Sequence, residues 1–186
     1  MEKTHDIMEK AQKYLITSMV SKIEPVVVDE AKGAIIKDID GKEYIDCFAG
    51  ISVVNAGHCQ QDVIEAATRQ ARKLVHVCSY IYYVLPTIEL AEKITSIAPS
   101  GLQKTFFGNS GAEAVECALK LARKFTKKPE IIALMGSFHG RSIGTLSITG
   151  QAARKKYDMG PYLWGVSFAY APLLLQMPFQ TGVSEM

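Results

Sequence analysis

This chain has no long apolar run, no paired cysteine motif, no block of like charge and no internal repeat, and each absence removes a class of protein. No stretch is long enough to cross a bilayer. Residues 1–20 are charged and amphipathic, without the apolar centre of a secretory signal. The four cysteines, Cys47, Cys59, Cys78 and Cys117, show neither CxxC nor ligand-like spacing, so free thiols in a reducing compartment are expected rather than disulfides or zinc. Twenty-one basic residues face 19 acidic ones, for a net charge of +2. The short basic runs Lys127-Lys128 and Arg154-Lys155-Lys156 read as a helix C-terminus and a solvated helix face, which argues against a nucleic-acid partner. What is left is an α/β piece of 186 residues, expected in the cytoplasm and long enough to bury one core.

Patterning supplies the elements. Residues 2–19 suit an amphipathic helix with Ile7, Met8, Tyr14 and Leu15 toward one side. Residues 25–28 and 34–38 alternate around a Lys32-Gly33 turn, and Asp40-Gly41 marks a hairpin before 42–46, so a small antiparallel sheet is expected. Helices are expected over 62–75, with Val63, Ile64, Ala67 and Ala71 at core spacing, and over 86–97, stopped by Ala98-Pro99-Ser100-Gly101.

The most informative stretch is Phe107-Gly108-Asn109-Ser110-Gly111-Ala112-Glu113. Residues 104–107 read as a short strand closed by Gly108, and 112–127 carry apolar residues at helical spacing. Ser110 is a good N-cap type with Glu113 three residues on, so the helix should begin at Ser110 or Gly111. Its free amides then sit at the positive end of a helix, and Gly111 and Ala112 let an anion come close. An ordinary capped helix fits these residues equally well, and the Gly-Lys-Ser/Thr ending of a P-loop is missing. After the stop Lys127-Lys128-Pro129, residues 130–135 read as a buried strand, which completes a strand, helix, strand unit. The loop Ser137-Phe138-His139-Gly140-Arg141 follows it, at the strand end where open parallel sheets bind ligands. Phe138 suits stacking on a flat ring or packing in a core; Arg141 suits a carboxylate or the solvent; His139 suits a ring or phosphate neighbour or a hydrogen-bonded loop; Gly140 permits a turn that bulky residues resist.

The segments Asn109-Ser110-Gly111-Ala112-Glu113-Ala114 and Phe138-His139-Gly140-Arg141 resemble those of the class III aminotransferases. Asp40-Gly41-Lys42-Glu43-Tyr44-Ile45-Asp46, Ala49-Gly50-Ile51 and Asn55-Ala56-Gly57-His58 follow the same family order, and the likeness runs from about Pro25 to Pro172. The resemblance implies the fold type I of pyridoxal-phosphate-dependent transferases. Residues 1–58 would be an N-terminal helix and small-domain sheet segment, 59–172 an incomplete large doubly wound domain, and 173–186 a tail outside the family pattern. It implies pyridoxal 5'-phosphate as cofactor, with Ser110, Gly111 and Ala112 at its phosphate, Phe138 on its ring, and His139 and Gly140 beside it. Arg141 would meet a substrate carboxylate and Ile51 would line the substrate pocket, its alternative being a hydrophobic residue at a strand end. Residues 76–83, aromatic and polar together, read as a loop crossing the interface near the active site, with plain packing as the alternative. Gln60-Gln61 departs from the family's His-Pro at that turn.

The chemistry so implied is a ping-pong transamination from an amino acid or ω-amino acid donor to an oxo-acid acceptor, the cofactor acting as electron sink. The family's lysine and its aspartate for the pyridine nitrogen lie beyond Met186, and no lysine here matches the catalytic position, so this chain is expected to be inactive alone. Residues 173–180 can be encoded by bases whose next reading frame spells Tyr-Cys-Tyr-Arg-Cys-Pro-Phe, a continuation some members show; the expectation is a frameshift near Pro172, with a divergent or cut terminus as the alternative. Other readings are a catalytically dead fragment, or a member acting as racemase, decarboxylase or aminomutase. An incomplete central sheet over 105–107, 131–135 and 166–169 would leave edges and apolar faces open, so the isolated chain is expected to be poorly soluble or partly unfolded.

Overall fold

The computed structural model describes residues 2–16, 23–151 and 159–172, in two compact units, 1–88 and 89–186. The expected basic face at 154–156 and the tail from 173 lie outside the described residues.

The first unit opens with helix α1 (Glu2–Tyr14) and a three-stranded antiparallel sheet, β1 (Val28–Lys32), β2 (Ile35–Asp38) and β3 (Glu43–Ile45), in the order β1-β2-β3. The expected first strand begins three residues later than 25–28, and a register irregularity lies between Val28 and Glu30. Pairing sets Ile36 opposite both Ala31 and Tyr44. The β2–β3 turn is built by one carboxylate: Asp38 Oδ1 accepts from the amides of Asp40 (3.0 Å) and Lys42 (2.9 Å), and its Oδ2 accepts from the Tyr44 hydroxyl (2.8 Å). Those bonds, led by the Lys42 amide and then the Tyr44 hydroxyl, hold the Asp38 carboxyl below its usual range, and the hydrogen bond to Asp38 pushes the Tyr44 phenol up.

Next come the short turn α2 (Ala49–Ser52), helix α3 (Gln61–Lys73) and helix α4 (Leu85–Ile97), which runs across the division. On α3 the side chains at core spacing, Val63 and Ile64, are exposed: periodicity marks which face is apolar, and no element within the described first unit covers it.

The second unit is α5 (Gly111–Thr126), β4 (Ile131–Leu134), α6 (Ile143–Ile148) and β5 (Val166–Ala169). Strands β4 and β5 pair in parallel, Ile131 opposite Val166 through Leu134 opposite Ala169. Residues 104–107, expected as a strand, have no ladder partner among the described residues; β propensity makes a strand only where a neighbour takes its hydrogen bonds. Helix α5 ends at Lys127 with φ 59°, ψ 16°, a left-handed C-cap whose N–H returns to the Arg123 carbonyl, just before Pro129.

The buried part of this unit lies around α6. Ala133, Leu146 and Ile148 are its apolar members, interleaved with Thr145, Ser147 and Thr149. Each buried hydroxyl is satisfied nearby. Ser147 Oγ donates to Ile143 O (2.6 Å) and accepts from the Leu163 amide (2.9 Å), and Thr149 Oγ1 donates to Thr145 O (2.8 Å). Small side chains let α6 approach both α5 and β4. By contrast Ile132, Leu134, Leu121 and Phe125 are exposed, so much of the apolar surface of β4 and α5 is uncovered among the described residues.

Candidate active site

Two turns of the second unit meet. The first is the start of α5, where Ser110 is the N-cap in extended conformation and its Oγ accepts from the Glu113 amide at 3.2 Å. The Glu113 carboxylate turns back to the Asn109 amide, one residue before the cap. The expected reciprocal box is therefore present in shifted form, and Glu113 spends its charge on Asn109 rather than on the first helical turn. The amides of Gly111 and Ala112 take no acceptor among the described residues, as the first turn of a helix dictates. They form a donor pair at a positive helix end, chemically suited to phosphate or carboxylate oxygens.

The second turn is the loop after β4. Gly136 N donates to Gly150 O (3.0 Å) and Gln151 N to Ser137 O (3.0 Å), so the loop is laced to the segment leaving α6. The His139 amide donates to Thr149 Oγ1 at 3.1 Å. Gly140 is buried at φ 133°, and a Cβ there would stand 2.6 Å from Thr145 Oγ1 and 2.9 Å from Ala112 Cβ. That contact joins the two turns: Gly140 rests on the first turn of α5, and no larger residue fits between them. Phe138 is 45% exposed, with the Arg141 guanidinium over its ring at 5.8 Å from the centroid. Of the residues singled out in the sequence, Ser110, Gly111, Ala112, Phe138, His139, Gly140 and Arg141 thus share one region of one unit.

Ile51 belongs to the first unit, where it sits in an unusual backbone. Ala49, Gly50, Ile51 and Ser52 all have positive φ (49°, 61°, 66° and 59°), so α2 is a single left-handed turn. For a β-branched residue such as Ile51 this is an outlier, costing on the order of 1–2 kcal/mol. One carboxylate holds the turn's entrance. Asp46 Oδ1 accepts from Phe48 N (2.9 Å) and Ala49 N (2.8 Å), while its Oδ2 pairs with His58 Nε2 at 2.6 Å. The bond to His58, followed by those amides, holds the Asp46 carboxyl below its usual range. His58 is itself fixed by paired backbone bonds with Gly33 (2.9 and 2.8 Å).

In the sequence, Asp46 and His58 stand out only as parts of two ordered motifs. Nothing in a spacing of twelve residues announces that they touch. Glu116, Ser142, Thr145 and Thr149 likewise have no role that the sequence assigns. Of these only Ser142 carried a local signal, as an N-cap type three residues before Thr145, whose amide it caps.

The sequence model described as aminotransferase class-III matches residues 17–185. The chain belongs to the class III aminotransferases. It is 46% identical over 162 residues to an acetylornithine aminotransferase of Methanosarcina mazei, covering 87% of this chain and 40% of that one. It is 39% identical over 186 residues to the 5-aminovalerate aminotransferase DavT of Pseudomonas aeruginosa, covering all of this chain and 42% of DavT. Among solved structures, an ornithine aminotransferase from Toxoplasma gondii, with partial occupancy of pyridoxal phosphate at its active site, superposes with a TM-score of 0.79 at 29% identity. That match covers 90% of this chain and 40% of the other. This class III chain therefore spans about two fifths of the length of the relatives it matches, and its fold is part of the fold type I transferase domain. The family is pyridoxal-phosphate-dependent. No helix among the described residues is long and apolar enough to cross a membrane, and no group of acidic, histidine or cysteine side chains among them could hold a metal ion.

Proposed function

We propose that this chain is the N-terminal part of a transaminase that moves an amino group from an amino acid or ω-amino acid to an oxo acid, in a cytoplasmic homodimer when complete. The single observation that carries the reading is the contact of Gly140 with Ala112, which sets the Phe138–Arg141 loop on the donor end of α5. The residues fit a phosphorylated planar ring: unpaired amides at Gly111 and Ala112, a close-packed backbone that a Cβ would fill, and a half-exposed aromatic with a cation beside it. In this reading Ser110, Gly111 and Ala112 take the phosphate, Phe138 covers the ring, His139 and Gly140 border it, and Arg141 meets the substrate carboxylate. Ile51 lines the substrate pocket. The cofactor would supply an electron sink for the carbon losing its proton, and this chain would bind and orient it. The division at 58/59 into small- and large-domain parts belongs to the same proposal.

The lysine that the reaction requires is not assigned to any residue here, so the isolated chain should bind cofactor without processing substrate. The test is to compare this chain with a version carrying the family's second half, using borohydride reduction and peptide mapping after incubation with pyridoxal phosphate. The extended protein should be labelled at one lysine in the added half and should transaminate. Unselective labelling of both, with no turnover, would defeat the proposal. Reading the bases that follow the codon for Pro172 tests the frameshift idea directly: a lysine-bearing family continuation in the neighbouring frame supports it, and its absence removes it.

A further inference from the structure

A second link between the same two turns lies one helical turn further along α5. Ala112 and Glu116 are four residues apart and share a helix face. Ala112 meets Gly140, and the Glu116 carboxylate accepts from Ser142 Oγ at 2.6 Å. Ser142 is the N-cap of α6, and its Oγ also pairs with Thr145 Oγ1 at 2.8 Å. Thr145 is fully buried, and its backbone carbonyl accepts from Thr149 Oγ1, which in turn holds the His139 amide. Two sets of hydrogen bonds therefore meet at Thr145, one from Glu116 through Ser142 to its hydroxyl, the other from its carbonyl through Thr149 to the loop that bears Phe138 and Arg141. Gly144 borders the seat: a Cβ there would overlap the Glu116 carboxylate, so a larger residue makes that flexible side chain swing away from Ser142.

We propose that Glu116 is a positioning residue, a latch acting through Ser142 and Thr145 that fixes the Phe138–Arg141 loop in register with the amides of Gly111 and Ala112. The step rests on the cofactor reading above only for the consequence of that register; the latch itself is a property of the folded unit. An apolar residue at 116 would leave the Ser142 hydroxyl without its acceptor, free the start of α6, and let the loop drift from the donor end of α5. Glutamine keeps an oxygen acceptor in the same place and should keep the latch.

The experiment compares the full 186-residue chain with Glu116→Leu, Glu116→Gln and Gly144→Ala in two measurements. Hydrogen–deuterium exchange reports the loop, read at the amides of His139 and Leu146. Fluorescence titration with pyridoxine 5'-phosphate, which has no aldehyde to react with lysines, reports the donor pair, and pyridoxine serves as the phosphate-free control. Glu116→Leu and Gly144→Ala should speed exchange at His139 about tenfold and weaken pyridoxine phosphate about tenfold, the scale of one lost charge-assisted hydrogen bond. Amides at 119–124 in the body of α5 should not change, and Glu116→Gln should stay within about twofold of the parent. Unchanged exchange at His139 in Glu116→Leu overturns the latch, as does equal loosening throughout α5, which would mark a general loss of stability. Pyridoxine phosphate binding unaffected by Glu116→Leu overturns the positioning role. A parent chain that fails to bind pyridoxine phosphate, while Glu116→Leu still loosens the loop, supports the latch and refutes the cofactor reading.

Discussion

The left-handed turn Ala49–Ser52 and the helix start Ser110–Ala112 both offer backbone in a tight bend, yet they are held by opposite means. At Ser110 the chain takes a conformation its residues favour: an extended N-cap, a hydroxyl on the Glu113 amide and right-handed helix beyond. At Ile51 four residues in a row sit where L-residues resist, and the Asp46 carboxylate with His58 holds the approach. A relaxed turn is specified by local sequence. A strained one needs a partner from a distance, and strain of this kind collects where a side chain must be aimed.

The comparison can be broken first at Gly140, where the relaxed turn meets its neighbour. Gly140→Ala puts a methyl into Ala112 and Thr145 at φ 133°, and should cost about 3 kcal/mol of second-unit stability in denaturant unfolding. An unchanged unfolding midpoint would mean the two turns do not touch. The next test is acid. Asp46 has a folded-state pKa below its unfolded value, so its stabilising share is present above the usual carboxylate pKa near 3.8 and is lost as pH falls through the lower folded value. Asp38 behaves in the same way in the same unit. Asp46→Asn should therefore flatten the acid limb of first-unit stability only in part, and Asp46→Asn with Asp38→Asn should flatten it further; an acid limb identical in the parent and Asp46→Asn would show that the clamp does not form.

Smaller effects sharpen the contrast in sign. Ser110→Ala should cost about 1 kcal/mol, the ordinary worth of a side-chain cap, read from the same unfolding curves. Ile51→Gly should do the reverse and gain about 0.5 kcal/mol, since glycine accepts positive φ while Ile51, 74% exposed, surrenders little packing. If Ile51→Gly destabilises as much as Ser110→Ala, the left-handed turn is not strained.

Much of the second unit could be read in advance because its signals are local. Ser110 with Glu113, Lys127 before Pro129, and the β-rich runs at 130–135 and 166–169 each place an element boundary within a residue or so. The expected strand at 104–107 did not form, because a strand depends on a neighbour that no local pattern supplies. The same limit hid the Asp46–His58 pair and the Glu116–Ser142 bond, which join residues 12 and 26 positions apart.

By itself, then, the sequence determined most of the longer helices and the strands β2 to β5, where α5 begins with free amides, and, through its ordered motifs, the family; it did not announce α2 or α6, and it misassigned 104–107. Tertiary structure alone decided that Gly140 lies against Ala112, that Glu116 reaches Ser142, and that Ala49–Ser52 winds to the left. Capping and periodicity act over three or four residues along the chain, whereas close approach, long-range hydrogen bonds and tolerated strain exist only once distant segments are packed together.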